Sequence, residues 1–215
     1  MEQYTMKVIA VLNQKGGSGK TTIATNLARA LQLPDMNVLL IDSDRQGSAS
    51  DWGAASDNQP VPVVSIVRPT IERDIKAISH QKDYIVIDGT PQLQDMAVSA
   101  IKSADFILIP VQPSPYDFWS ASDLVDMVKQ RIEITEGKLK AAFVISRAIR
   151  GTKISNDVID VLSEYRLPIL QGRTHQRVIY PSSAANGRTV FDENPLGDAA
   201  REISEIAKEV IDICR

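Results

Sequence analysis

A nine-residue stretch, Gln14-Lys15-Gly16-Gly17-Ser18-Gly19-Lys20-Thr21-Thr22, separates two segments of opposite character. Before it, Lys7 to Asn13 (KVIAVLN) is a short β-branched run that suits a buried strand. After it, Thr21 to Leu33 places Ile23, Leu27, Ala30 and Leu31 at helical spacing. A glycine-rich turn from strand to helix directs its backbone N–H groups inward, where they can hold phosphate oxygens. Side chains in place of the glycines would block that approach. The stretch therefore predicts a phosphate cradle at Gly16, Gly17, Ser18, Gly19, Lys20, Thr21 and Thr22. Lys20 is expected to reach the β and γ phosphates, and the Thr21 hydroxyl to ligate Mg²⁺.

Strand and helix patterns alternate along the rest of the chain. Val38 to Asp42 (VLLID), Tyr84 to Asp88 (YIVID), Phe106 to Val111 (FILIPV) and Leu139 to Ser146 read as strands. Pro62 to Val67 is a weaker one and Pro168 to Gln171 a short last one. Helices are expected from Thr70, over Asp95 to Ser103, over Thr152 to Tyr165 and over Leu196 to Ile213. Ser114-Pro115-Tyr116-Asp117 has the N-cap, N1 proline and N3 acid that open a long helix. Only Arg173 to Asn194 resists the pattern and is expected to be irregular, with one helical turn. Such alternation implies an α/β fold with a doubly wound, mainly parallel sheet, whose ligands bind at the carboxyl ends of the strands. At 215 residues and 23.6 kDa the expectation is one domain over 1–215.

Two strand ends carry carboxylates. Asp42 and Asp44 are two residues apart at the end of VLLID, on one face if the chain stays extended. Asp88 follows four apolar residues, so a buried strand delivers one carboxylate to a metal's water shell. Composition removes other chemistries. A single cysteine, Cys214, excludes an internal disulfide or a cysteine-pair metal site, and His80 and His175 lie too far apart in sequence to suggest a histidine cluster. No apolar run reaches the roughly 18 residues of a membrane span, and Met1 to Met6 lacks the features of a signal peptide, so a cytoplasmic location is expected. Net charge is −3, yet residues 138–191 hold nine Lys and Arg against three Asp and Glu. A basic block thus sits inside an otherwise acidic chain.

Lys15 to Thr21 resembles the deviant Walker A motif, KGGxGKT, of the ParA/MinD family of P-loop ATPases. Asp42 to Gly47 is similar to that family's DxDPQG segment, with Arg45 where the family has proline. The strand ending Ile109-Pro110-Val111 and the Gln112 to Asp117 turn resemble a segment near the family's dimer interface. The resemblance implies a P-loop NTPase fold, ATP and Mg²⁺ as cofactors, and hydrolysis of ATP to ADP and phosphate. It implies a catalytic role for Lys20 and for Lys15, which would reach the partner's nucleotide across an ATP-bound homodimer. It assigns the attacking water to Asp44, and the Mg²⁺ shell to Thr21, Asp88 and Asp42, with Asp42 alternatively supporting the loop. It also implies a stacked adenine, with Pro168 to Thr174 and Ser182 to Asn186 as expected walls.

The C-terminal part, including Arg173 to Tyr180 and Gly187 to Phe191, resembles small partition ATPases such as ParF. These lack an N-terminal helix-turn-helix domain, and the first strand here begins at Lys7. The implied function is DNA partition: non-specific DNA binding by the ATP dimer, release on hydrolysis, stimulation by a ParB-like centromere-binding partner, and association with the nucleoid. The basic block offers Arg147, Lys153, Arg173, Arg177 and Arg188 as DNA contacts. The alternative is a cargo- or division-site-positioning ATPase, of the MinD or carboxysome-positioning type. A MinD-type membrane helix would need a basic tail, whereas Glu202, Glu205, Glu209 and Asp212 make this one acidic, so no membrane partner is expected. A nitrogenase-iron-protein-like carrier would need cluster cysteines that the chain lacks.

Overall fold

The computed structural model describes residues 6–92, 95–149 and 154–215. The chain lays down β1 (Lys7–Val11), α1 (Lys20–Gln32), β2 (Val38–Asp42), α2 (Ser48–Ala54), β3 (Val63–Ser65), α3 (Ile71–Ile78), β4 (Tyr84–Asp88) and α4 (Asp95–Ser103). It continues with β5 (Phe106–Val111), α5 (Pro115–Trp119), α6 (Ser122–Ile134), β6 (Lys140–Ile145), α7 (Ile154–Ser163), α8 (Ile179–Ala185), α9 (Val190–Glu193) and α10 (Asp198–Cys214). The strands form one six-stranded sheet in the order β3-β2-β4-β1-β5-β6, and every pairing is parallel.

Parallel pairing explains why the strand sequences are apolar throughout rather than alternating. Each strand feeds two cores, one per sheet face, by the period-2 rule. Ile9, Val11, Val86 and Leu108 pack with Ile23 and Leu27 of α1 and Ile203 and Ile206 of α10. Their neighbours Val8, Ala10, Ile85 and Ile107 face the other side, with Ile71 and Ile75 of α3 and Leu124 and Val128 of α6. A fully buried side chain of this size contributes about 1.5–3 kcal/mol, so both layers hold the sheet firmly.

The register then sets the site. Asp88 lies beside Val11 on one flank and beside Asp42 on the other. The carboxyl ends of β1, β4 and β2 therefore meet where the glycine-rich turn leaves the sheet.

Four local expectations change. The proposed last strand at Pro168 to Gln171 is a single bridge, Ile169 to Phe143, against the β6 edge. The helix opening at Ser114 breaks into α5 and α6, because the chain turns at Ser120 and Ala121, where Ala121 N donates to Phe118 O. The segment expected to be irregular holds α8 and α9, the latter closed by a reciprocal cap between Thr189 and Asp192. A further helix, α2, follows the Asp42 to Gly47 loop without having been expected.

Candidate functional site

The turn between β1 and α1 is held by its carbonyls and side chains, which frees its amides. Asn13 braces it by donating Nδ2 to Pro110 O at 2.6 Å and accepting Lys15 N at 2.9 Å. Ser146, at the end of β6, donates Oγ to Ser18 O at 2.6 Å, and Lys20 Nζ donates to Lys15 O at 3.1 Å. Gly19 takes a φ of +97° to enter α1, and a Cβ there would also press on Ser146 Oγ at 3.3 Å. Glycine satisfies both demands. The helical ladder starts only with Ile23 N donating to Gly19 O, so the amides of Gly19, Lys20, Thr21 and Thr22 have no protein acceptor among the described residues. They form an anion-binding helix start.

Opposite the turn, Thr21 Oγ1 donates to Asp88 Oδ2 at 2.7 Å. The other oxygen of this carboxylate, Oδ1, is buried with no partner among the described residues, as is Ser18 Oγ. Burial, partly offset by the Thr21 hydrogen bond, pushes the Asp88 carboxyl up to about 7. Burial also lowers the Lys20 amine, against the pull of Asp88 and Asp44. Both carboxylates thus act electrostatically on the lysine expected to meet the phosphates.

The extended chain that would align the two aspartates of the β2 end does not continue past the first of them. The strand stops at Asp42, and the chain turns. Asp42 Oδ1 accepts Asp44 N at 3.1 Å, while Oδ2 accepts Ser50 N at 2.8 Å and Ser50 Oγ at 2.7 Å. Of the two roles expected for Asp42, bracing the loop is the one its contacts fulfil. Both of its oxygens take part in that bracing. Asp44 is half-buried at the tip, with Oδ1 accepting Gln46 N at 3.1 Å.

Lys15 turns to its own chain. Its amine is ion-paired with Asp117 at the start of α5, whose carboxylate is fully buried. The Gln112 to Asp117 turn is therefore tied to the glycine-rich loop within one molecule.

Beside the loop opens a cavity of about 760 Å³, lined by Gly19, Thr22, Ser146, Arg147, Thr174, the run His175 to Val178, Tyr180, Pro181 and Ala184, among others. It adjoins the end of the phosphate turn and has room for a nucleoside. Of the two expected walls it uses Thr174 and Ala184. The run His175 to Pro181 between them is not among the expected walls: the resemblance marks Arg173 to Tyr180 as a segment and the basic block offers Arg177 as a DNA contact, and neither points to a cavity lining. Arg147 sits at its rim with a left-handed backbone, φ 53°, fixed by Arg147 N donating to Thr174 Oγ1 at 3.1 Å. A non-glycine residue held there is strained and stays only because its surroundings impose it.

The expected DNA contacts separate. Arg147 is exposed. Arg173 Nε donates to Gln171 O at 3.3 Å, and Arg188 pairs with Glu193 at 3.2 Å while half exposed. Lys153 lies outside the described residues. Arg177 is engaged within the chain: its guanidinium is bound to Glu202 at 2.8 Å and to Asp198 at 3.1 Å.

Fold and site together define a nucleotide-binding protein of the phosphate-loop class. The chain belongs to the CobQ/CobB/MinD/ParA nucleotide-binding family, whose domain model matches residues 9–190. Over 209 residues it is 34% identical to the maintenance of carboxysome distribution protein A of Halothiobacillus neapolitanus, covering 94% of this chain and 95% of that one. It is 30% identical to the chromosome partitioning protein ParA of Myxococcus xanthus, over 58% of this chain and 59% of that one. Among solved structures, an ATP complex of a variant McdA from Cyanothece superposes with a TM-score of 0.78 at 18% identity, covering 98% of each chain. At that identity the likeness is one of fold.

Proposed function

We propose that this chain is an Mg²⁺-dependent ATPase that dimerises on ATP, binds DNA without sequence preference and is released on hydrolysis, so as to position a cargo. The observation that carries the reading is the pairing of loop amides and a buried carboxylate oxygen that have no partner among the described residues. A buried orphan of this kind is costly unless a ligand completes it. Thr21 and Asp88 supply the hydroxyl and carboxylate oxygens that suit a hard divalent cation. No cluster of three or more His, Cys, Asp or Glu exists among the described residues. A cation held here would therefore draw its other ligands from phosphate and water. When bound, it neutralises phosphate charge.

The chain's own residues take the remaining roles. Loop amides and Lys20 hold the phosphates, Asp44 orients water, and Lys15 exchanges Asp117 for the partner's nucleotide. A cation supplied in trans stabilises charge where two triphosphates meet. Arg147, Arg173, Arg188 and Lys153 contribute DNA contacts. No helix among the described residues is long and apolar enough to cross a membrane.

The cargo has two readings. Plasmid or chromosome partition with a ParB-like partner is the first, and the ParA relative supports it over part of the chain. Carboxysome-type positioning is favoured by a relative that matches almost end to end. Both require the same switch, which is tested by chain mass and DNA retention with ATP, with ADP and without nucleotide. Dimer and DNA complex are expected with ATP and Mg²⁺ only, and Asp44→Ala should prolong both. Identical DNA binding in all three conditions would sink the switch.

A further inference from the structure

One wall of the cavity is anchored by a residue outside it. His175, Arg177 and Tyr180 line the cavity, whereas Glu202 of α10 stands behind them and is 7% exposed. Its Oε1 accepts His175 Nδ1 at 2.8 Å, Arg177 Nε at 2.9 Å and Arg177 Nη2 at 2.8 Å. Its Oε2 accepts His175 N at 3.1 Å and Tyr180 OH at 2.9 Å. Burial alone would raise this carboxyl. The bonds from Arg177, His175 and Tyr180 together outweigh it and hold the group below the usual carboxylate range. Glu202 is thus an ionised hub, and its donors all come from one six-residue run of the wall.

Docking of α10 does not need this hub. Ala199, Ala200, Ile203, Ile206, Ala207 and Val210 already bury the helix in the core. Nor does the phosphate turn touch Glu202, since that turn is braced by Asn13 and Ser146. The hub therefore acts on the nucleoside side of the site alone. Its effect on His175 is chemically specific. A carboxylate can only accept, so Nδ1 carries the proton it shares with Oε1, and in the neutral ring Nε2 is left as an acceptor. An acceptor on the cavity wall suits the exocyclic amino group of adenine and opposes the carbonyl that guanine carries there.

We propose that Glu202 is a positioning residue for base selection: it fixes the wall formed by His175, Arg177 and Tyr180, and so determines that the cavity takes adenine over guanine. The inference rests on reading this cavity as the nucleoside side of the nucleotide site.

Calorimetric titration of the full chain with Mg-ADP, Mg-GDP and Mg-pyrophosphate separates the possibilities. Glu202→Gln should weaken ADP about tenfold, narrow the ADP-to-GDP preference and leave pyrophosphate unchanged. Tyr180→Phe keeps the ring but removes one donor to Glu202. It should shift ADP in the same direction by about threefold, and it decides the matter alone if the first variant does not fold. An unchanged ADP-to-GDP ratio in both variants overturns the proposal, as does parallel weakening of all three ligands, which marks Glu202 as a support of the fold only. If the wild type binds pyrophosphate as tightly as ADP, the cavity reading itself falls, an outcome distinct from a variant that merely keeps the wild-type preference.

Discussion

Lys15 shows how a residue can be recognised in the sequence while its surroundings are not. The motif marks it, but its partner Asp117 lies 102 positions away and reads locally as a helix-start acid. Because that carboxylate is buried, Lys15→Gln leaves a charge without its partner, which costs about 1–3 kcal/mol. Urea unfolding should show this loss, and Lys15→Gln/Asp117→Asn should recover most of it. A dimerisation defect that persists in the double variant then belongs to the lysine's action on the neighbouring nucleotide rather than to damaged folding.

Asp88 carries a second prediction at this scale. Its folded value of about 7 lies above the ordinary 3.8, so between those limits the folded chain binds a proton that the unfolded chain has released. This group's contribution to stability is therefore greatest at low pH and is lost as pH rises through about 7. Without nucleotide, Asp88→Asn should raise the melting temperature at pH 8 and raise it clearly less at pH 5. A gain of equal size at both pH values would remove the buried ionisation as its cause. YIVID made Asp88 legible as a strand-end carboxylate, whereas its unpartnered oxygen depends on how the loop and β1 close over it.

Strands with continuous apolar runs were legible, and short helices without an apolar stripe were not. β1, β2, β4 and β5 announce themselves as continuous apolar runs because both their faces are covered. α2 (SASDWGA) and α8 (IYPSSAA) are seven residues each, too short and too rich in small residues to show a helical stripe. They exist because they are clamped together. Trp52 of α2 donates Nε1 to Arg188 O at 3.0 Å, and the turn after α8 presses on the residues that end α2. At that contact Gly187 has φ +63°, and a Cβ would stand 2.5 Å from Ser56 N. Gly187→Ala should therefore cost at least about 1–2 kcal/mol from its backbone alone, with the clash in addition. Faster amide exchange across α2, together with slower ATP turnover through the Asp44 loop that α2 carries, is the expected signature. Unchanged exchange in α2 would show that the clamp does not hold it.

At the scale of the whole molecule, the proposed function asks charge arrangement to connect the nucleotide site to DNA. The sequence showed the basic block at 138–191, but a linear count could not say which cations the fold consumes. Glu202 lies beyond the block in the acidic tail, and folding brings it against Arg177, so the tail neutralises part of the block. Arg147 stays exposed, at the rim of the cavity beside the phosphate turn. Each phosphate neutralised by a cation lowers the slope of log K against log salt by roughly 0.9, and a dimer doubles any contact made once per chain. Arg147→Ala should accordingly make the slope for the ATP-bound dimer shallower by about 2. Arg177→Ala should leave that slope unchanged while weakening ADP binding, because its charge serves Glu202 rather than the duplex. Salt titrations of the two variants on the same DNA decide between these assignments. If the slopes respond in the opposite order, the DNA-facing surface runs along the Glu202 side of the cavity, and the contribution of the acidic tail to it must be reassigned.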